Sequence, residues 1–298
     1  MGTMSQNEFR GVMTALATPF DASGQFDSGA MARMIEYQVA EGVEGIVPCG
    51  STGESATLNH QEHQEVIAFA VAAARGRVRV IAGTGSNSTD EAIALTLFAE
   101  KAGADAALLT TPYYNKPTQE GLYSHYKMIH DRTRLPLILY NIPGRTGVNM
   151  LPETIARLSL LERVTAVKEA SGSLVQMMEI VRLCGDRLTL LSGDDGLTLP
   201  ILAIGGKGVI SVTSNILPKA LQLLIESFNR GDIQKAREIH YHYLPLHDAM
   251  FLETNPIPVK AALFLTGRCL NTLRMPLTSL TDGNLEKLKK VLKDYQLL

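Results

Sequence analysis

Residues 78–83, Val-Arg-Val-Ile-Ala-Gly, lead into a stretch from Thr89 to Lys101 with apolar residues at helical spacing, and a second apolar run follows at 105–111. Ser88 and Thr89 ahead of Asp90 and Glu91 mark a helix start, and Gly103 stands where that helix should stop. Both runs are nearly continuous in apolar character rather than alternating. That pattern predicts strands buried on two faces, hence parallel neighbours joined by a crossover helix.

The same unit recurs along the chain. Apolar, often β-branched runs lie at 11–18, 45–49, 137–141, 164–168, 188–192 and 208–212, with helical periodicity at 27–41 and 60–75 between them. Asn59 before His60–Glu62, and Pro152–Glu153, open further helices, while Gly42 closes one. Eight strand–helix units at intervals of roughly thirty residues predict a closed (β/α)8 barrel, the α/β TIM-barrel class. An open doubly wound sheet is the alternative that alternation alone leaves standing. The expected division is a catalytic barrel over 1–230 and a C-terminal helical extension over 231–298. The extension's helical patterns are broken by Pro245, Pro256, Pro258 and Pro276.

Composition narrows the function classes. The chain has 298 residues, 45% hydrophobic and 19% charged, enough apolar material for a large core. A formal charge of −2 and the lack of a basic stretch argue against nucleic acid. No run approaches the roughly 18 apolar residues that cross a bilayer, so no membrane association is expected. Met1 to Arg10 is polar and does not read as a secretory signal. Cys49, Cys184 and Cys269 lie far apart, which predicts neither a disulfide framework nor a structural zinc site. A soluble, cytoplasmic globular protein is the expectation.

In a parallel α/β fold, chemistry collects where strands end. After the second strand comes Cys49-Gly50-Ser51-Thr52-Gly53-Glu54. Its two hydroxyls suit an anion, or simply cap a turn. Thr111-Pro112-Tyr113-Tyr114-Asn115-Lys116-Pro117 holds paired phenols in a stiff loop. Tyr140-Asn141 ends the fifth strand, and Arg145 beyond it could clamp a carboxylate with two parallel hydrogen bonds or stand as a surface charge. The sixth strand ends Val164-Thr165-Ala166-Val167-Lys168. An amine there is poorly solvated, loses its proton readily and can attack a carbonyl; a buried Lys paired to a carboxylate is the plainer reading. Other motifs carry less. His60-Gln61-Glu62-His63 is not a zinc-protease motif, Gly83-Thr84-Gly85 lacks a dinucleotide fingerprint's third glycine, and Gly205-Gly206-Lys207-Gly208 precedes a strand.

Taken in order, GSTGESATLNHQEH, TPYYNKPTQEGLY, YNIPGRTG, VKEASG, LLSGDD, GGKGVISV and NPIPVK resemble the dihydrodipicolinate synthase family of pyruvate-dependent class I aldolases, from about residue 11 to 277. The resemblance implies that Lys168 forms a Schiff base with pyruvate, with Tyr140 as acid/base and Ser51 and Tyr114 completing a relay. In that family Tyr114's counterpart is donated across a dimer interface. Thr52 would hold the ketoacid carboxylate, Arg145 the carboxylate of L-aspartate semialdehyde, and the carbonyls of Gly193 and Ile210 would line the pocket. Ala56, His60, His63, Gly85, Asn87, Glu91 and Tyr113 match the family's L-lysine inhibition site. A homotetramer, built as a dimer of dimers, is implied. No metal or organic cofactor is implied, since the imine itself supplies the electron sink. One departure stands out: Ser51 replaces the family's more usual threonine, and Gly-Ser-Thr-Gly-Glu also resembles the sialic acid lyase branch, which keeps a sugar-acid lyase as the alternative. A non-catalytic barrel that senses lysine or pyruvate is the alternative from outside enzymology.

Overall fold

Residues 9–298 are described by the structure, a computed structural model. The polar start read at 1–10 therefore lies mostly outside the described residues. Eight strands appear: β1 (Gly11–Ala15), β2 (Gly45–Val47), β3 (Arg79–Gly83), β4 (Ala106–Thr110), β5 (Leu137–Asn141), β6 (Val164–Glu169), β7 (Thr189–Ser192) and β8 (Gly208–Ser211). They pair in chain order into a closed barrel, all in parallel. The alternative of an open sheet is thereby set aside.

The connecting helices are α1 (Ser28–Ala40), α2 (His60–Ala74), α3 (Thr89–Ala102), α4 (Gln119–Arg132), α5 (Pro143–Thr146), α6 (Pro152–Leu158), α7 (Leu174–Cys184), α8 (Thr198–Ala203) and α9 (Pro218–Asn229). Beyond them lie α10 (Ile233–Ala249), α11 (Ile257–Leu265) and α12 (Asp282–Asp294). The helix signals act as read. Asn59 and Glu62 form a reciprocal capping box at the start of α2, and Gly103 closes α3 in the left-handed conformation.

One expectation is corrected. Pro245 does not break the C-terminal helical pattern; it lies inside α10, which runs on to Ala249. Proline removes one rung of the helical ladder, and the rest of the helix tolerates that loss because its buried face, including Ile239 and Leu246, stays packed. Pro258 falls in the first turn of α11, where its missing N–H has no intrahelical partner to lose.

Contacts divide the chain into two compact units. Among the described residues, the first comprises 81–210 with 9–11. Its core is apolar on both faces of the strands: Leu109, Ile138, Leu139 and Val167 are inaccessible to solvent. Truncating such a residue, Leu109→Ala for example, costs about 2–5 kcal/mol through lost transfer energy and the cavity left behind. The second unit comprises 12–80 and 211–298, so the C-terminal helices cluster with the first part of the barrel, where Lys260 of α11 bonds Glu54 in the turn after β2. Its core includes Ile46, Val47, Leu221 and Leu263, all inaccessible. Among the described residues no helix is long and apolar enough to cross a membrane.

Candidate active site

In the first unit, β5 and β6 pair so that Tyr140 stands opposite Lys168 and Asn141 opposite Glu169. Strand alternation then sends Lys168 and Glu169 to opposite faces. Lys168 is 5% exposed and Tyr140 is 4% exposed. The amine Nζ lies 4.2 Å from the centre of the Tyr140 ring. Burial drives Lys168 from the ordinary lysine range down to about 7; the Asp195 carboxylate resists that fall and the Arg145 guanidinium adds to it. Near neutral pH a large share of the amine is uncharged, the form that attacks carbonyl carbon.

Each neighbour is set by its own element. Asp195 is buried at the start of a single 3-10 turn after β7, and Asp194 caps that turn by accepting from the Gly196 N–H at 2.9 Å. Gly193 donates its N–H to the Glu169 carbonyl at 2.8 Å. A Cβ at Gly193 would stand 2.7 Å from the Ala170 Cβ, so this approach of two strand ends admits only glycine. Arg145 is exposed on the short helix α5, and Ile210 is buried on β8. Tyr114 is 89% exposed with φ +72°, and its side chain is left in the open by a single chain.

The second unit carries the turn after β2. Cys49 and Glu54 take positive φ at its two ends, +57° and +53°. Thr52 is buried and its Oγ1 accepts from Asn255 Nδ2 at 2.9 Å, while Ser51 is half-buried. Glu54 is paired to Lys260 on α11 at 2.6 Å, both side chains inaccessible. Burial pulls Lys260 below the lysine range and Glu54 opposes that shift. The second Glu54 oxygen accepts from the Arg274 N–H at 3.0 Å. Arg274 in turn grips Glu62 of α2 with two bonds of 2.6 and 2.9 Å.

The residues matched to an inhibitor site fall into both units. Gly85, Asn87, Glu91 and Tyr113 belong to the first. A Cβ at Gly85 would lie 2.3 Å from the Thr110 nitrogen, Glu91 accepts from the Ser86 hydroxyl, and the Asn87 carbonyl accepts from Asn115 Nδ2 at 2.8 Å. Burial, helped by Glu91, holds the Tyr113 phenol above its ordinary range. Ala56, His60 and His63 belong to the second unit, the first two exposed and His63 buried.

The model of the dihydrodipicolinate synthetase family matches residues 8–295. The chain belongs to this family. A relative from Thermodesulfovibrio yellowstonii, named 4-hydroxy-tetrahydrodipicolinate synthase, is 55% identical over 97% of this chain and 99% of its own length. The crystal structure of dihydrodipicolinate synthase from Aquifex aeolicus superposes with a TM-score of 0.95 at 47% identity, covering 97% of this chain and 99% of that one. The enzyme of the same family from Cyanidioschyzon merolae, solved with lysine bound, gives a TM-score of 0.95 at 43% identity, covering 97% and 99%. Members of the family are enzymes of the class I aldolase type that work through a Schiff base, and so is this chain.

Several residues of this family member escaped sequence reasoning. Asp195 tunes Lys168 from the next strand–helix unit, and nothing in its local spacing says so. Lys260 offered a visible clue, a lone amine in the apolar run Ile257-Pro-Val-Lys-Ala-Ala-Leu-Phe-Leu265. A charge in such a run is rarely buried without a partner. Its partner, 206 residues away, was not legible.

Proposed function

We propose that the chain is a 4-hydroxy-tetrahydrodipicolinate synthase, condensing pyruvate with L-aspartate semialdehyde in the route to diaminopimelate and lysine. The observation that carries this reading is the buried, proton-poor amine of Lys168 beside the Tyr140 phenol. The neutral Nζ attacks the pyruvate ketone carbon, and the carbinolamine loses water to give an imine. Protonated, that imine draws electrons from the adjacent methyl group, which gives up a proton to form an enamine. The enamine carbon adds to the aldehyde carbon, whose oxygen takes up a proton. Finally the aldehyde substrate's own amino group displaces Lys168 from the imine carbon, closing the ring and restoring the free amine.

The remaining roles belong to the same proposal. Tyr140 moves the protons, with Ser51 and a Tyr114 supplied by a second copy of the chain; the exposure of Tyr114 supports such a donation. Thr52 binds the ketoacid carboxylate, Arg145 binds that of the aldehyde, and the Gly193 and Ile210 carbonyls line the pocket. L-Lysine binds through Ala56, His60, His63, Gly85, Asn87, Glu91 and Tyr113, a reading supported by the lysine-bound relative. The assembly is a homotetramer working in the cytoplasm.

The test is reductive trapping. Borohydride with pyruvate should fix a covalent adduct on the peptide containing Lys168, and the purified protein should consume aspartate semialdehyde. Labelling of another peptide, or turnover only with sugar-derived aldehydes, overturns the reading.

A further inference from the structure

Lys168 has a neighbour that the proposed chemistry does not use. Glu169 is inaccessible to solvent and, among the described residues, has no basic partner. Its carboxylate is instead surrounded by neutral donors. Asn141 Nδ2 lies 3.0 Å from one oxygen and 3.3 Å from the other, the Ser171 N–H donates at 2.7 Å, and Gln176 Nε2 reaches it at 3.4 Å. Burial holds the carboxyl above its usual range while these hydrogen bonds pull it down.

The amides continue outward. Asn141 Nδ2 also donates to Asn149 Oδ1 at 2.8 Å, and Asn141 Oδ1 accepts from the Met150 N–H at 2.9 Å. Asn149 and Gln176 bond each other in both directions, at 2.8 and 3.1 Å. Residues 141 and 149–150 are the two ends of the segment that carries α5 and Arg145. Within it, Thr146 Oγ1 donates to the Ile142 and Val148 carbonyls. A single carboxylate thus sits behind both ends of one loop.

The acid matters because an ionised carboxylate only accepts. Facing it, Asn141 and Gln176 must present their NH2 groups. Their carbonyl oxygens are then obliged to face the Met150 N–H and the Asn149 amide. A glutamine at 169 would bring a donor and an acceptor, and every amide in the chain could turn over. Acceptor-only chemistry therefore gives the network one orientation, where a neutral group of the same shape would leave several.

We propose that Glu169 is a positioning residue for the second substrate: by fixing the direction of the Asn141–Asn149–Gln176 network it holds the Arg145 loop ready for the aldehyde's carboxylate. This rests on Arg145 binding that carboxylate, as proposed above. A loop held beforehand loses less freedom when the substrate docks, so the effect falls on aldehyde affinity and spares the first half-reaction.

The experiment compares wild type, Glu169→Gln and Asn149→Ala by steady-state kinetics and by borohydride trapping with pyruvate. Glu169→Gln should raise KM for aspartate semialdehyde at least tenfold, leaving KM for pyruvate and the yield of trapped imine within twofold of wild type. Asn149→Ala cuts the same network at its far end without altering β6, and should give the same split even if Glu169→Gln folds poorly. Trapped imine that falls in step with aldehyde use in both variants overturns the proposal, since Glu169 would then act on Lys168 itself. An unchanged aldehyde KM in both variants overturns it too. A wild-type protein that traps pyruvate but ignores the aldehyde removes the functional reading and this inference together, whereas normal wild-type turnover with unaffected variants removes the inference alone.

Discussion

Tyr140 and Lys168 are register partners on adjacent strands, and the amine sits 4.2 Å from the centre of the phenol ring. A parallel ladder between two buried strands fixes this pair before any loop is placed. The proposed nucleophile and its proposed acid/base neighbour are therefore placed by the barrel wall.

The first prediction concerns pH. With Lys168 near 7, its amine is increasingly protonated below that value and neutral above it. The rate of imine formation should fall by about tenfold for each pH unit well below the pKa, and level off above it with respect to this group. Trapping rates measured between about pH 5 and pH 9 check the limb. A rate independent of pH across 6 to 8 would contradict the proposed amine.

Arg145 has two separable effects. Arg145→Ala should weaken use of the aldehyde by roughly 10- to 150-fold, the range expected for losing a charge-assisted hydrogen bond. It should also move the acidic limb upward, because removing a cation near Lys168 lets the amine hold its proton better. Arg145→Lys should keep the limb in place while aldehyde use stays impaired. The pair of pH profiles separates field from fork.

Asp195 acts in the opposite sense. Its carboxylate raises the proton affinity of Lys168, so Asp195→Asn should shift the limb to lower pH. An upward shift in the trapping profile would show that the field has been misassigned.

The buried pair of the second unit governs stability. Lys260→Met leaves the Glu54 carboxylate inaccessible and without its amine, at a cost of about 3–5 kcal/mol. Adding Glu54→Gln to Lys260→Met should recover part of that loss. Urea unfolding of the single and double variants measures both.

L-Lysine should bind the purified protein and lower its turnover. Glu91→Gln, which removes the one anion among the matched residues, should weaken lysine binding in calorimetry while leaving imine trapping intact. Equal lysine affinity in that variant would place the inhibitor elsewhere.

The legible part of this molecule is the part written in local periodicity. Apolar runs such as 137–141 return as a strand with the same bounds, Leu137–Asn141, because burial on two faces demands an unbroken apolar stretch. Lys168 stood out for the same reason, as a charge closing such a run. Much of what stayed hidden depends on side chains meeting across long sequence distances. The bond from Asn255 to Thr52 spans 203 residues and that from Lys260 to Glu54 spans 206. Neither has a spacing rule. Glu169 was hidden differently: it stood in the open beside Lys168, but its role lies in the amides around it. Pro245 was misread because a local helix-breaking tendency was weighed without the packing that overrides it.

The Glu54–Lys260 pair also bears on how the protein is made. A nascent chain that has left the ribosome only as far as β8 already contains the Ser51–Glu54 turn, yet holds neither the amine that neutralises Glu54 nor the amide that engages Thr52. During translation the carboxylate must stay hydrated, and the turn can settle only once α11 has emerged. Synthesis order thus makes this turn wait for a partner made 206 residues later.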